Sequence, residues 1–110
     1  DHFMSAISYT VSGKGNPVVF LHGFPMDRSV WTKLAEDLQS DFQVYTPDLP
    51  GFGESTPLQE GFTLDVVADL LLQWLAELKV QPVVIIGHSL GGYVALAMVE
   101  KAPHSFRGLG

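Results

Sequence analysis

Apolar and polar residues alternate over Ala6-Ile7-Ser8-Tyr9-Thr10-Val11, with Ile7, Tyr9 and Val11 on one side. A period of two predicts a strand with one wet face. Gly13-Lys14-Gly15-Asn16-Pro17 makes a turn. Val18-Val19-Phe20-Leu21 is apolar on both faces and short, the pattern of a buried parallel strand, and His22-Gly23-Phe24-Pro25 ends it. A helix follows, capped by Asp27 or Ser29, with Val30, Trp31, Leu34, Ala35 and Leu38 at helical spacing on its inner face. Phe42-Gln43-Val44-Tyr45-Thr46 is the third strand, and residues 47–57 form a long loop with two Gly and three Pro. Thr63 caps a longer helix, with Asp65 and Asp69 near its positive end and a stripe of Leu64, Val67, Ala68, Leu71, Leu75 and Leu78. Val83-Val84-Ile85-Ile86 is a fourth strand, again apolar on both faces. The sharp turn Gly87-His88-Ser89 leads into a helix over residues 90–101 that is apolar nearly all round, so it is expected to be covered on most sides. Pro103 marks its end, and Phe106-Arg107-Gly108-Leu109-Gly110 opens a further strand that is cut short.

After the first strand the order is β-α-β-α-β-α. This is an α/β pattern that predicts a mostly parallel four-stranded sheet, helices on both faces and right-handed crossovers. No repeat or linker divides the chain, so residues 1–110 form a single domain.

Composition narrows the function classes. Residues AVILMFWYC make up 46% and charged residues 16%, which is globular rather than disordered. Six Lys and Arg against twelve Asp and Glu give a net charge of −6. No basic stripe is present to neutralise phosphates, so no nucleic-acid partner is expected, and the acidic balance suits no anionic membrane. With no Cys there is no disulfide, thiolate metal site or Cys nucleophile. The first residues carry neither a basic start nor an apolar segment of a signal peptide, and no run spans a membrane. The expected location is cytoplasmic. Met4-Ser5-Ala6 reads like a native start, with Asp1 to Phe3 as a cloning remnant.

Gly87-His88-Ser89-Leu90-Gly91 is G-x-S-x-G between a buried-strand pattern and a helix pattern. A nucleophile elbow needs that context: the turn is tight enough to lift the Ser side chain clear, and the two Gly let strand and helix approach. Ser89 would stand at a helix N-terminus, where the dipole and the N–H groups favour negative charge. The competing reading is a Gly-rich turn with an N-capping Ser. An acyl-transfer oxyanion requires two backbone N–H donors. Leu90, just after the nucleophile, is one candidate, and Phe24, in the loop after the second strand, is the other.

Together these residues resemble the N-terminal half of the α/β-hydrolase family. His22-Gly23-Phe24-Pro25 is similar to its oxyanion loop, Asp48-Leu49-Pro50-Gly51-Phe52-Gly53-Glu54-Ser55 to the loop after its next strand, and Gly87-His88-Ser89-Leu90-Gly91-Gly92 to its elbow. The resemblance implies a partial α/β-hydrolase fold and a serine hydrolase acting on a small ester or related acyl substrate. Ser89 would be the nucleophile, and the Phe24 and Leu90 amides the oxyanion hole. Gly87, His88 and Gly91 would shape the elbow, and Asp48 would organise its loop rather than serve as triad acid. It also implies the strand order first, third, second, fourth. A Ser at the elbow argues against the dehalogenase and epoxide hydrolase branches, which use Asp there.

Other motifs fail. Gly51-Phe52-Gly53 has Thr56 where a dinucleotide loop needs its third Gly, Gly13-Lys14-Gly15 is no P-loop, and the four His lack zinc spacing. No cofactor and no metal are expected. His88 is read as structural, and His22 as bracing its loop.

A Ser hydroxyl needs a base, and the base an orienting carboxylate. Downstream of Ser89 stand only Glu100 and His104. At about 1.5 Å per residue they lie roughly 16 and 22 Å along the helix, far beyond hydrogen-bond reach. The expectation is therefore a truncated, nucleophile-bearing half that is inactive alone. Such a half exposes Val83-Val84-Ile85-Ile86 as an edge and uncovers part of the last helix, so self-association is expected through that edge or the stub Phe106 to Gly110. Two alternatives stay open: C–C bond hydrolysis or a lyase step on the same elbow, and a non-catalytic folded module that self-associates.

Overall fold

The computed structural model describes residues 7–24, 26–53, 55 and 63–110. The readings of residues 1–6, Pro25, Glu54, Thr56 and Pro57 lie outside the described residues. Strands β1 (Tyr9–Ser12), β2 (Asn16–Leu21), β3 (Phe42–Pro47), β4 (Val83–Gly87) and β5 (Phe106–Leu109) form one sheet in the order β1-β3-β2-β4-β5. β1 runs antiparallel to β3, and every other pair is parallel.

Alternation along β2 assigns the two faces. Val19 and Leu21 enter one core with Tyr45, Ile85 and the apolar sides of helices α2 (Leu64–Leu78) and α3 (Leu90–Lys101). Val18 and Phe20 enter a second, smaller core with Val44, Val84 and Ile86 beneath helix α1 (Thr32–Leu38) and the 3₁₀ turn Arg28–Trp31 that precedes it. Both-face burial is why β2 and β4 read as unbroken apolar runs. Helices cover both faces, as expected, and the order of the first four strands is the expected one.

Several expectations need correction. The sheet has five strands rather than four, because Phe106–Leu109 pairs with β4 over Val83↔Phe106 and Ile85↔Leu109. Val83-Val84-Ile85-Ile86 is therefore an interior strand between β2 and β5, and the unpaired edge belongs to β5. The apolar character of β4 is that of a strand bonded on both sides, which is the position it holds. The first helix starts as a 3₁₀ turn with Asp27 as its cap, and Val30 (48% exposed) and Leu34 (37% exposed) turn away from the sheet. In α2, Thr63 Oγ1 accepts from Val66 N–H at 3.1 Å, as its capping role requires, but Leu64 is exposed. Trp74, absent from the expected stripe, is buried against Tyr9 and Tyr45. α3 buries Gly91, Val94, Ala95 and Met98, while Tyr93 (67%) and Leu96 (45%) face out. Its all-round apolar composition thus exceeds what the described residues cover. On the α1 side, a groove of about 450 Å³ lies over Val18, Phe20, Val84 and Ile86.

Candidate active site

The strand register brings three loops to one place. Leu21 pairs with Gly87, and Val19 with Tyr45, so β2, β3 and β4 end nearly level at their carboxyl ends. Ligands of open α/β sheets bind outside the carboxyl ends of the strands. The segments starting at His22, Asp48 and His88 leave from this edge.

Ser89 sits between β4 and α3 at φ 57°, ψ −118°, and its side chain is exposed. A non-Gly residue at this φ is strained by about 1–3 kcal/mol and persists only where its surroundings enforce it. The enforcement is visible. His88 N–H donates to Leu21 carbonyl at 3.0 Å, tying the turn to β2. Gly91 and Gly92 N–H donate to the His88 and Ser89 carbonyls at 2.9 Å, starting the helix. A Cβ on Gly87 would stand 2.3 Å from Gly91 carbonyl oxygen, and one on Gly91 2.3 Å from Leu21 carbonyl oxygen. Strand, turn and helix therefore cross in backbone contact that any side chain would block. Ser89 makes no side-chain cap bond to α3, so the reading of it as an ordinary N-cap is not supported. Leu90 is the first helical residue, and its N–H has no acceptor inside the helix.

The loop after β2 lies against this turn. A Cβ on Gly23 would be 2.9 Å from His88 carbonyl oxygen and 3.0 Å from Ser89 Cβ. Phe24, next along, is 66% exposed, and its ring meets Phe52 edge-on at 5.7 Å. His88 contributes its backbone to the turn, and the residue itself is exposed.

His22 is fully buried. Its Nε2 accepts from Leu49 N–H at 2.9 Å, and its Nδ1 lies 2.9 Å from Gly23 carbonyl oxygen. An amide must donate, so Nε2 carries no proton and Nδ1–H donates to Gly23. Both ring nitrogens are engaged in holding the loop, and neither is available as a base for Ser89.

Asp48 is 2% exposed and anchors a polar node. Its Oδ1 accepts from Arg28 N–H at 2.8 Å and its Oδ2 from Arg28 Nη1 at 3.0 Å. Asp48 N–H donates to Ser8 carbonyl at 2.8 Å, Ser55 Oγ donates to Asp48 carbonyl at 2.6 Å, and Ser8 N–H donates to Ser55 Oγ at 3.0 Å. Three chain segments meet there, which is a loop-organising arrangement. Arg28 was not legible as a member, because its only sequence signal is a lone cation in a turn. Asp27, beside it, has its carboxyl held below the ordinary aspartate range by hydrogen bonds from the Ser29 hydroxyl and amide. Glu100 and His104 lie at and beyond the far end of α3, and the structure does not bring them to Ser89.

A family model described as alpha/beta hydrolase fold matches residues 16–109. The chain is 36% identical over 108 residues to a pimeloyl-[acyl-carrier protein] methyl ester esterase of Aeromonas salmonicida, covering 94% of this chain and 40% of that protein. It is 36% identical over 87 residues to a non-heme chloroperoxidase of Kitasatospora aureofaciens, covering 78% of this chain and 32% of that one. Among solved structures, a thermophilic esterase from Thermogutta terrifontis superposes with a TM-score of 0.90 at 38% identity, over 94% of this chain and 38% of that chain. The chain thus spans 32% to 40% of the length of these relatives. No described helix is long and apolar enough to cross a membrane. Sheet order, elbow and the match over residues 16–109 agree, and the chain belongs to the α/β-hydrolase fold family.

Proposed function

We propose that these residues carry the nucleophile and oxyanion hole of a serine hydrolase acting on a small ester or related acyl substrate. The observation that carries the reading is the strained backbone of Ser89 at the strand-to-helix turn, with the Gly23 loop packed against it. Ser89 Oγ attacks the acyl carbon, its proton passes to a base, and the former carbonyl oxygen becomes an oxyanion. The Leu90 and Phe24 N–H groups receive that charge, and the N-terminus of α3 adds its dipole. The alcohol leaves, and water hydrolyses the acyl-enzyme by the same steps.

No described residue downstream of Ser89 stands where the base or its carboxylate must be. The reading assigns both to polypeptide beyond these 110 residues, in keeping with relatives two to three times as long. The isolated chain is then a poor catalyst. The esterases among the relatives support ester chemistry, and the Ser at the elbow supports an acyl-enzyme route.

The test is labelling of the naturally produced protein with a fluorophosphonate, together with turnover of short-chain nitrophenyl esters. Labelling at Ser89 and loss of turnover in Ser89→Ala are expected. Turnover that survives Ser89→Ala overturns the reading.

A further inference from the structure

We propose that the rings of Phe24 and Phe52, drawn from two different loops, form an apolar wall beside Ser89 that selects esters carrying a hydrocarbon chain of several carbons. The inference rests on the reading of Ser89 as nucleophile and of the Phe24 N–H as an oxyanion donor. It adds the substrate class to that reading.

Phe24 is 66% exposed, although its side chain is wholly apolar. A single exposed apolar residue needs no explanation. This ring, however, is paired: it meets the half-buried Phe52 ring at 5.7 Å and 73°. Edge-to-face contact is a favoured arrangement of two aromatic rings, so Phe24 leans on Phe52. Phe52 is rooted in the loop after β3. Its N–H donates to Leu49 carbonyl at 2.8 Å, and its carbonyl accepts from Ser55 N–H at 3.1 Å. Its ring packs against the larger core and meets the buried His22 edge-on at 5.7 Å. One ring is therefore fixed by the fold, and the second is propped on it with most of its surface open.

The open ring belongs to the residue next to the contact between Gly23 and Ser89, where a Cβ on Gly23 would stand 3.0 Å from Ser89 Cβ. A carbonyl oxygen that accepts from the Phe24 N–H sits about 3 Å from that nitrogen. Phe24 Cβ is two bonds from the same nitrogen. A group attached to the acyl carbon thus passes within van der Waals range of the Phe24 side chain. A methylene withdrawn from water against an apolar surface gains up to about fourfold in binding. Two groups are attached there, the acyl chain and the alcohol, and the chemistry that suits the wall is the same for both.

The wall and the oxyanion donor are separable although one residue supplies both. The N–H serves every ester alike, so damage to it cancels in a ratio of two esters measured on one variant. The ring acts on chain length, which that ratio retains. A merely structural role for the two rings lowers every ester in proportion and leaves the ratio alone.

The experiment measures kcat/KM of the naturally produced protein on two pairs of esters. Nitrophenyl acetate against nitrophenyl hexanoate lengthens the acyl chain, and ethyl acetate against hexyl acetate lengthens the alcohol. The wild type is expected to favour the longer member of one pair by about tenfold or more. Phe24→Ala is expected to cut that preference about fivefold, and Phe52→Leu about threefold. The double variant is expected to lose no more than Phe24→Ala alone, because Phe52 acts through the ring it props. Phe24→Leu keeps an apolar side chain and is expected to hold the preference within about twofold. The pair that responds tells whether the wall faces the acyl chain or the alcohol. No preference in either pair, a wild-type preference in Phe24→Ala, or a loss in Phe24→Leu equal to that in Phe24→Ala overturns the proposal. In each of those cases Ser89-dependent turnover leaves the serine hydrolase reading standing, whereas turnover independent of Ser89 brings both down. Should Phe52→Leu fail to fold, the two Phe24 variants decide alone, since that side chain lies outside the core.

Discussion

Gly23 and Ser89 are in contact across the gap between two loops: a Cβ on the one would stand 3.0 Å from the Cβ of the other. The loop after β2 can lie this close to the turn at Ser89 only because position 23 has no side chain. Gly23→Ala must push the two loops apart, since His88 carbonyl oxygen is also only 2.9 Å from the added methyl. A displacement on the order of 1 Å at a reacting centre costs about 100-fold in rate. Gly23→Ala is expected to slow fluorophosphonate labelling of Ser89 by about that factor while the far-UV circular dichroism stays native. Labelling at the wild-type rate would show that the loops are not held at contact distance.

Ser89 holds a φ of 57° that costs it stability. Ser89→Gly is expected to raise unfolding free energy by about 1 kcal/mol, because Gly occupies that region without strain. Ser89→Ala keeps the strained Cβ and is expected to gain little. Urea unfolding of the three proteins measures the difference.

Arg28 and Asp48 form a part-buried ion pair, with Asp48 side chain 2% and Arg28 24% exposed. Arg28→Met removes the Nη1 partner of a buried carboxylate and is expected to cost about 3 kcal/mol. Removing the charge as well, in Arg28→Met with Asp48→Asn, is expected to recover part of that loss. Unfolding of the single and double variants forms a cycle, and additive losses would show that the pair is not coupled.

Asp27 caps the 3₁₀ turn through Ser29, and its folded carboxyl titrates below its unfolded value. A depressed folded value means stabilisation that is fully present above the unfolded value of about 3.9 and fades as pH falls through the folded one. Asp27→Ala is expected to lower stability at neutral and alkaline pH and to flatten this acid limb, so that the two proteins converge as pH falls. The group is exposed, so the effect is small, and Tm against pH from 6 downward shows it.

How far the sequence reaches is seen in β2 and β4. Their length and apolar character are local properties, so both strands and the sharp turn after β4 were readable residue by residue, whereas the interior position of β4 was not, because it depends on pairing with β5. The spacing of Gly87, Ser89 and Gly91 was readable for the same reason: a backbone crossing demands absent side chains at fixed offsets. Thr63 as a cap also followed from local chemistry, while Asp48 as a loop organiser came from the family resemblance alone.

What the tertiary structure alone decided depends on distance between residues far apart in the chain. β5 is four residues long, too short to read as more than a stub, and becomes a strand only because β4 offers a bonded neighbour. Trp74 lies inside because Tyr9 and Tyr45 meet it from another element, and Val30 and Leu34 lie outside because the 3₁₀ turn rotates their face away from the sheet. Arg28 joins Asp48, and His22 joins Leu49, across intervals of 20 and 27 residues. Sequence periodicity records which face of an element is apolar. It holds no record of which element that face will meet.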